Sequence, residues 1–221
     1  MNISYRMVIV AAVFITCLIT ANIIAVKVIS LGFFILPAAA FVFPVSYIFG
    51  DILTEVYGYR TARRVIWLGF GCNLIFVFFA WIGQLLPAAD FWTAQESYKT
   101  ILGYTPRLLA ASLCGYLVGE FANSFVLARM KIKTKGRWLW SRTIGSTIIG
   151  EGLDTIIFIT AAYAGTGSPI GTMIWHHWLF KTGIEVIATP VTYAIVNWLK
   201  RAEGIDTYDY ETKYNPFVFS G

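Results

Sequence analysis

The chain has 221 residues, 57% of them hydrophobic and only 13% charged, with a formal net charge of +5. Soluble domains carry roughly 25% charged residues, so this composition excludes an ordinary soluble domain and reads as an integral membrane protein. There is no polar half from which a separate soluble domain could be built.

A bilayer core of about 30 Å requires roughly 20 apolar residues per helix. Six stretches meet that requirement, at about 7–28, 33–57, 65–86, 108–130, 138–163 and 171–199. The first has no small-residue cleavage site after it and reads as a retained helix rather than a signal peptide. The second contains Pro37, Pro44 and Gly50, which predict a kink or local unwinding ahead of Asp51. Between the third and fourth, "AADFWTAQESYKT" at 88–100 is too polar to span; it is predicted to lie on the membrane surface or fold back against it. The sixth carries His176, His177, Lys181, Glu185 and Pro190. Cys17, Cys72 and Cys114 lie in apolar runs, without metal-ligand spacing or a disulfide framework.

Basic residues set the orientation. Arg60, Arg63 and Arg64 follow the second span, and Arg129, Lys131, Lys133, Lys135 and Arg137 follow the fourth. Lys200 and Arg201 follow the sixth, and Arg6 precedes the first. The connections on the other side hold only Lys27, Lys99 and Arg107. The positive-inside rule then places both termini in the cytoplasm and explains most of the net charge without nucleic acid.

Two short stretches echo each other. "GDILTE" at 50–55 and "GEGLDT" at 150–155 place Gly, an acid and Leu at the same offsets, followed by a Thr and a second acid in swapped order. Each falls in the middle span of a three-span half, about 1–100 and 101–205. Two such halves enter the membrane in opposite senses, the layout of inverted-topology carriers with a site near the midplane. The expected fold is therefore an all-α membrane protein of six transmembrane helices in a single transporter domain, built as two inverted three-helix repeats.

Each charge in a span costs about 2.5–3.5 kcal/mol on insertion scales and faces an interior or a cavity. Asp51 and Glu55 are four apart and share a helix face with Tyr47; Glu151 and Asp154 are three apart. Lys181 and Glu185, four apart, can pair along the sixth helix. Arg142 enters the fifth span, and Glu120 sits in the fourth near Asn123 and Ser124. These groups are either ion pairs that hold a bundle together or sites for a solute or a proton. Arg60, Arg63 and Arg64 are the expected neutralisers of Glu55. Asp51 and Asp154, deeper and with fewer evident partners, favour function. His176 and His177 read as interfacial, since no further ligand pattern accompanies them. No nucleophile–base pair or metal-ligand set lies at one depth, so an enzyme is not expected. No Walker A pattern is present.

The segments "FPVSYIFGDILTEVYGYRTARRVIW" and "RTIGSTIIGEGLDTIIF" resemble the queuosine precursor transporter family, also called the vitamin uptake transporter family. "TANIIAVKV" and "FKTGIEVIATPVTY" agree with it, so the resemblance covers about residues 5–201. It implies six helices in two inverted halves and import across the inner membrane of 7-cyano-7-deazaguanine or 7-aminomethyl-7-deazaguanine. It also places the family's polar positions on Asn22, Lys27, Asp51, Thr54, Glu55, Arg142, Glu151 and Asp154. The residues suit that cargo. One carboxylate can accept both N1–H and the 2-amino group of a deazaguanine. Tyr47 and Phe43 offer aromatic faces, while Asn22, Lys27, Arg142 or Lys181 can donate to the carbonyl or nitrile. Glu185 completes the candidate set. No cofactor is expected, and the expected partners are this small solute and membrane lipid; homodimerisation is left open. The rival reading is the substrate-binding subunit of an energy-coupling-factor importer, docking through Ala21-xxx-Ala25 on the first helix.

Overall fold

The structure is a computed structural model that describes residues 4–31, 34–103, 106–167 and 169–218. Helix α1 (Tyr5–Ile24) starts where the Ser4 hydroxyl accepts a 3.1 Å hydrogen bond from the Met7 amide. Met7, Val10, Phe14, Leu18 and Ala21 face inward at helical spacing, while Val8 and Ile9 are exposed. A helix apolar on all sides is suited to lipid on its outer face.

The chain next forms an antiparallel hairpin of β1 (Val28–Leu31) and β2 (Phe34–Pro37), with Val28 opposite Pro37. A 3-10 turn over Ala38–Phe41 leads into α2 (Phe43–Tyr57). The second span was expected from Phe33, which lies outside the described residues, and as one helix from there on; its first residues are strand and 3-10 turn instead. Pro44 does not kink α2. It sits in the first turn, where an amide N–H has no helical acceptor and the fixed proline φ favours entry. Gly50 likewise lies inside an unbroken helix.

Twelve of the fifteen residues of α2 are buried, which makes it the central element. Gly58, at φ +83°, turns the chain sharply into α3 (Tyr59–Leu85). The polar segment after α3 contains the short α4 (Gln95–Leu102). It folds back as expected: the Tyr98 hydroxyl donates to the Ala80 carbonyl at 3.2 Å and the Gln95 amide to the Gln84 carbonyl at 3.3 Å. Helices α5 (Pro106–Lys133), α6 (Leu139–Tyr163) and α7 (Ile170–Glu203) complete the bundle. The Arg107 guanidinium donates to the carbonyls of Ala161 and Ala164 at the end of α6, a favourable place for a cation. Pro190 lies inside α7, which continues through it.

Among the described residues, six helices are long and apolar enough to cross a membrane, and the protein is a multi-pass membrane protein. Its polarity is inverted relative to a soluble fold. Phe79 and Ile187 are 64% and 80% exposed, whereas Asp51, Glu55, Glu120, Glu151 and Glu185 are fully buried.

Helix α2 packs on α1, α3, α5 and α7, and α6 on α5 and α7. The closest approach is between α5 and α6, where glycines bring the backbones together. A β-carbon on Gly119 would lie 2.7 Å from the Asp154 β-carbon and 2.9 Å from the Gly150 carbonyl. One on Gly150 would lie 2.6 Å from Asn123 and 2.8 Å from the Gly119 carbonyl. Small residues permit such contact between membrane helices. Gly150→Ala is therefore expected to destabilise the bundle by about 1–3 kcal/mol through overpacking, seen as a lower unfolding temperature in detergent. Gly171→Ala, where a β-carbon would meet open space, should leave it unchanged. The expected orientation is tested by cysteines placed at the exposed Arg60 and Lys133 and, separately, at Glu96. In a cysteine-free background the first two are expected to label from one face only and the third from the other.

Candidate functional site

Four helices carry polar residues along one inward face each. On α2 these are Tyr47, Asp51 and Glu55; on α5, Tyr116, Glu120, Asn123 and Lys131. On α6 they are Arg142, Glu151 and Asp154, and on α7, His177, Lys181 and Glu185; all are buried. Spacings of three and four residues put Tyr47, Asp51 and Glu55, then Tyr116, Glu120 and Asn123, then Glu151 and Asp154, and His177, Lys181 and Glu185 each on one stripe of their helix, while Lys131 and Arg142 enter the same interior nearer one end, so the bundle encloses a polar core along its length.

At the end holding Arg60 and Lys133, Glu55 is the hub. Its carboxylate takes a two-pronged bond from Arg142, Nε to Oε2 and Nη2 to Oε1, each 2.8 Å. Lys200 reaches Oε1 at 2.5 Å and Lys131 at 3.4 Å, and Lys131 also donates to the Glu55 carbonyl at 2.6 Å. Both lysines bind Asp206, just beyond α7, at 2.6 and 2.8 Å. Partial burial pushes the Asp206 carboxyl up, but the hydrogen bonds from Lys131 and Lys200 outweigh it and hold its pKa below the ordinary value. The neutralisers expected for Glu55 are thus corrected. Arg63 turns away and donates to the Lys213 and Asn215 carbonyls at 2.8 and 2.9 Å. Arg142 comes from another helix, and Lys131 and Lys200, expected as loop charges, extend into the bundle.

The middle of the core is acidic. Asp51 accepts from the Asn123 amide at 2.7 Å through Oδ1. Among the described residues, its Oδ2, the Asn123 carbonyl oxygen and both carboxylate oxygens of Glu120, Glu151 and Glu185 have no hydrogen-bond partner. The Lys181–Glu185 pair expected along α7 is not formed. Lys181 instead bonds Asp154 on α6 at 2.8 Å, and its ammonium lies 4.8 Å from the Phe43 ring centre and 5.6 Å from that of Tyr47. Asp154, for which few partners were evident in the sequence, is thus paired with Lys181.

Towards the opposite end lies a cavity of about 80 Å³, room for roughly five to eight waters. Asn22, Ser112, Asp154 and His177 are its polar lining, and Phe43, Tyr116, Phe158 and Tyr163 its aromatic walls. The Asn22 amide donates to Asn73 at 2.8 Å and its carbonyl accepts from Ser112 at 3.0 Å, which fixes its orientation. His177 is not interfacial but buried against this cavity. Lys27 is exposed beside the hairpin and joins neither cluster.

Of the residues expected from sequence, the fold brings Asp154 and Lys181 together at the cavity, with Tyr47 against Lys181. It sets Asp51, Glu151 and Glu185 in the acidic core behind, and binds Glu55 and Arg142 to each other at the far end. The sequence reading missed Lys131 and Lys200 in the hub and Asn73, Ser112 and His177 near the cavity. The signal for Lys131 was present: Glu120, Asn123, Leu127 and Lys131 continue one α5 face at spacings of three and four. Glu55→Gln should leave three cations against Asp206 alone, and removing one partner of a buried ion pair costs about 3–5 kcal/mol. The variant is expected to unfold at markedly lower temperature than Arg60→Gln, and a double-mutant cycle with Arg142→Gln should show strong coupling.

The chain matches the family described as "Putative vitamin uptake transporter" over residues 37–195. It is 31% identical over 150 residues to a Bacillus subtilis protein named "Probable queuosine precursor transporter", covering 65% of this chain and 64% of the relative. It is 24% identical over 160 residues to a protein of the same name from Haemophilus influenzae, covering 70% and 65%. It is also 24% identical over 165 residues to the Escherichia coli "Queuosine precursor transporter", covering 71% of each. The chain thus spans just under two thirds of the length of the first two curated relatives. No solved structure matches it. A family match over most of the chain, including both acidic segments of the polar core, establishes that the protein belongs to the vitamin uptake transporter family.

Proposed function

We propose that the protein imports a queuosine precursor, 7-cyano-7-deazaguanine or 7-aminomethyl-7-deazaguanine, as a secondary carrier of the inner membrane. The names of the relatives support the cargo class. The observation that carries the reading is the aromatic-walled cavity in which Asp154, one oxygen held by Lys181, lies among Asn22, Ser112 and His177. A flat heterocycle stacks on aromatic rings. Its adjacent ring N–H and amino group match a carboxylate, and its carbonyl matches a donor such as the Asn22 amide. Behind the cavity, the unpartnered oxygens of Asp51, Glu120, Glu151 and Glu185 form an acceptor-rich interior that suits a donor-rich solute or coupling protons.

The positive-inside rule puts the Glu55 hub at the cytoplasmic end and the cavity on the outer side. In this reading the chain is closed inward, and the hub is the inner gate. Two inverted halves, α1–α3 and α5–α7, rock about the acidic core. The echo is consistent with this: Gly50 of α2 lies against Phe14 of α1, and Gly150 of α6 against Asn123 of α5, equivalent helices of the two halves. Lys27 stands near the outer entrance rather than in the site. The energy-coupling-factor reading is less well supported, because Ala21 is fully buried and Ala25 lines the cavity, which leaves that pair off the outer face.

The test is flux in liposomes containing this protein alone. Labelled 7-cyano-7-deazaguanine is expected to exchange without ATP; Asp154→Asn should weaken binding roughly tenfold or more, since a mismatched buried donor costs about 1–3 kcal/mol, and Phe158→Ala should weaken it through lost ring stacking. Binding without flux until an ATPase module is added would replace the carrier by the rival importer subunit. Normal binding by well-folded Asp154→Asn and Phe158→Ala would remove the cavity from the mechanism.

A further inference from the structure

The segment after α7, residues 205–218, carries no regular secondary structure, yet it is fixed to the hub end of the bundle along its length. The Thr207 amide donates to the Val56 carbonyl at the end of α2, at 3.3 Å. The Thr207 carbonyl accepts from Lys131 of α5 at 2.7 Å. Asp209, almost fully buried, accepts from the Tyr59 amide at 3.0 Å and so caps the start of α3, where Gly58 has no side chain to do so. Farther along, the Lys213 and Asn215 carbonyls hold Arg63, the Tyr214 carbonyl accepts from the Tyr59 hydroxyl at 2.9 Å, and the Pro216 carbonyl accepts from Trp67 at 2.9 Å. The Tyr214 ring lies 4.9 Å from the Arg129 guanidinium and 5.1 Å from the Phe125 ring of α5.

These contacts have a geometric consequence. α2 and α3 belong to one half of the chain, and α5 and α7 to the other. The segment ties both halves together on the face where Glu55 joins α2, α5, α6 and α7. Asp206 binds the two lysines that Glu55 also binds, so the segment and the hub share the same cations. Separation of the halves at this end would break the contacts of the segment with one half or the other.

We propose that residues 205–218 form a latch: docked, they hold the Glu55 hub closed, and they must lift from one half before this end opens. The proposal rests on the carrier reading for the purpose of the opening, but not for the opening itself.

The test uses the full chain with its native cysteines replaced by serine and a single reporter thiol introduced by Ser146→Cys, at a fully buried position one turn inside Arg142. Labelling at position 146 by a small water-soluble thiol reagent reports access through the hub. One variant ends the chain at Gly204; a second keeps the chain whole but carries Asp206→Ala and Asp209→Ala. Labelling is expected to quicken roughly tenfold or more in both, the equivalent of at least one lost charge-assisted hydrogen bond. If the shortened chain does not stay monodisperse, the doubly substituted chain decides. An unchanged labelling rate in a monodisperse variant overturns the latch. Faster labelling with no flux of a 7-deazaguanine in any variant, the parent included, would sustain the latch while removing the proposed cargo.

Discussion

The two-pronged bond between Arg142 and Glu55 is the interaction on which the rest of the architecture depends. A carboxylate with no solvent exposure among apolar helices is tolerable only if paired and fully hydrogen-bonded, and the planar fork of arginine meets both carboxylate oxygens at once. Because α2 is the most enclosed helix, fixing Glu55 fixes the centre of the bundle. Lys131 and Lys200 then bind α5 and α7 to the same point. Four helices are registered at one end by a single side chain, while at the other end, where the cavity lies, the cross-links are neutral or single-cation hydrogen bonds: Asn22 to Asn73 and Ser112, and Arg107 to the Ala161 carbonyl.

The polar core therefore has two regimes. At the hub, Arg142, Lys131 and Lys200 meet Glu55 and Asp206, so every carboxylate there has a cation. In the middle, Asp51, Glu120, Glu151, Asp154 and Glu185 share Lys181 alone among the described residues. Ion pairs that satisfy one another make a closure. Acceptors lacking donors make a surface that welcomes protons or a donor-bearing solute. The same residue types serve both ends, distinguished only by the balance of partners.

Much of this was legible in the sequence. Six apolar stretches gave six spanning helices, because bilayer thickness leaves little freedom in length. The i, i+4 spacing of Asp51 and Glu55 correctly put them on one inward face. What could not be read was which charges meet across helices. Proximity along the chain suggested Arg63 for Glu55 and Glu185 for Lys181, yet both guesses failed, since helix faces rather than sequence neighbours decide contact in a bundle. Pro44 was misread for a related reason. A proline breaks a helix in its interior but starts one in its first turn, and the register was set by a hairpin that apolar composition concealed. Nothing in the composition of residues 205–218 announced that their backbone carbonyls would receive the buried Arg63.

Pro190 gives α7 a mechanical character that composition does not convey. It lies between Lys181 at the cavity and Lys200 at the hub, which are about 28 Å apart along the axis at 1.5 Å per residue. Having no N–H, it leaves the Val186 carbonyl without its helical donor, so the helix bends more readily between Lys181 and Lys200. α7 is thus a jointed rod rather than a rigid one. A displacement at one lysine can be absorbed at the joint or transmitted to the other, and the stiffness of that one turn sets how tightly the two ends of the molecule keep time.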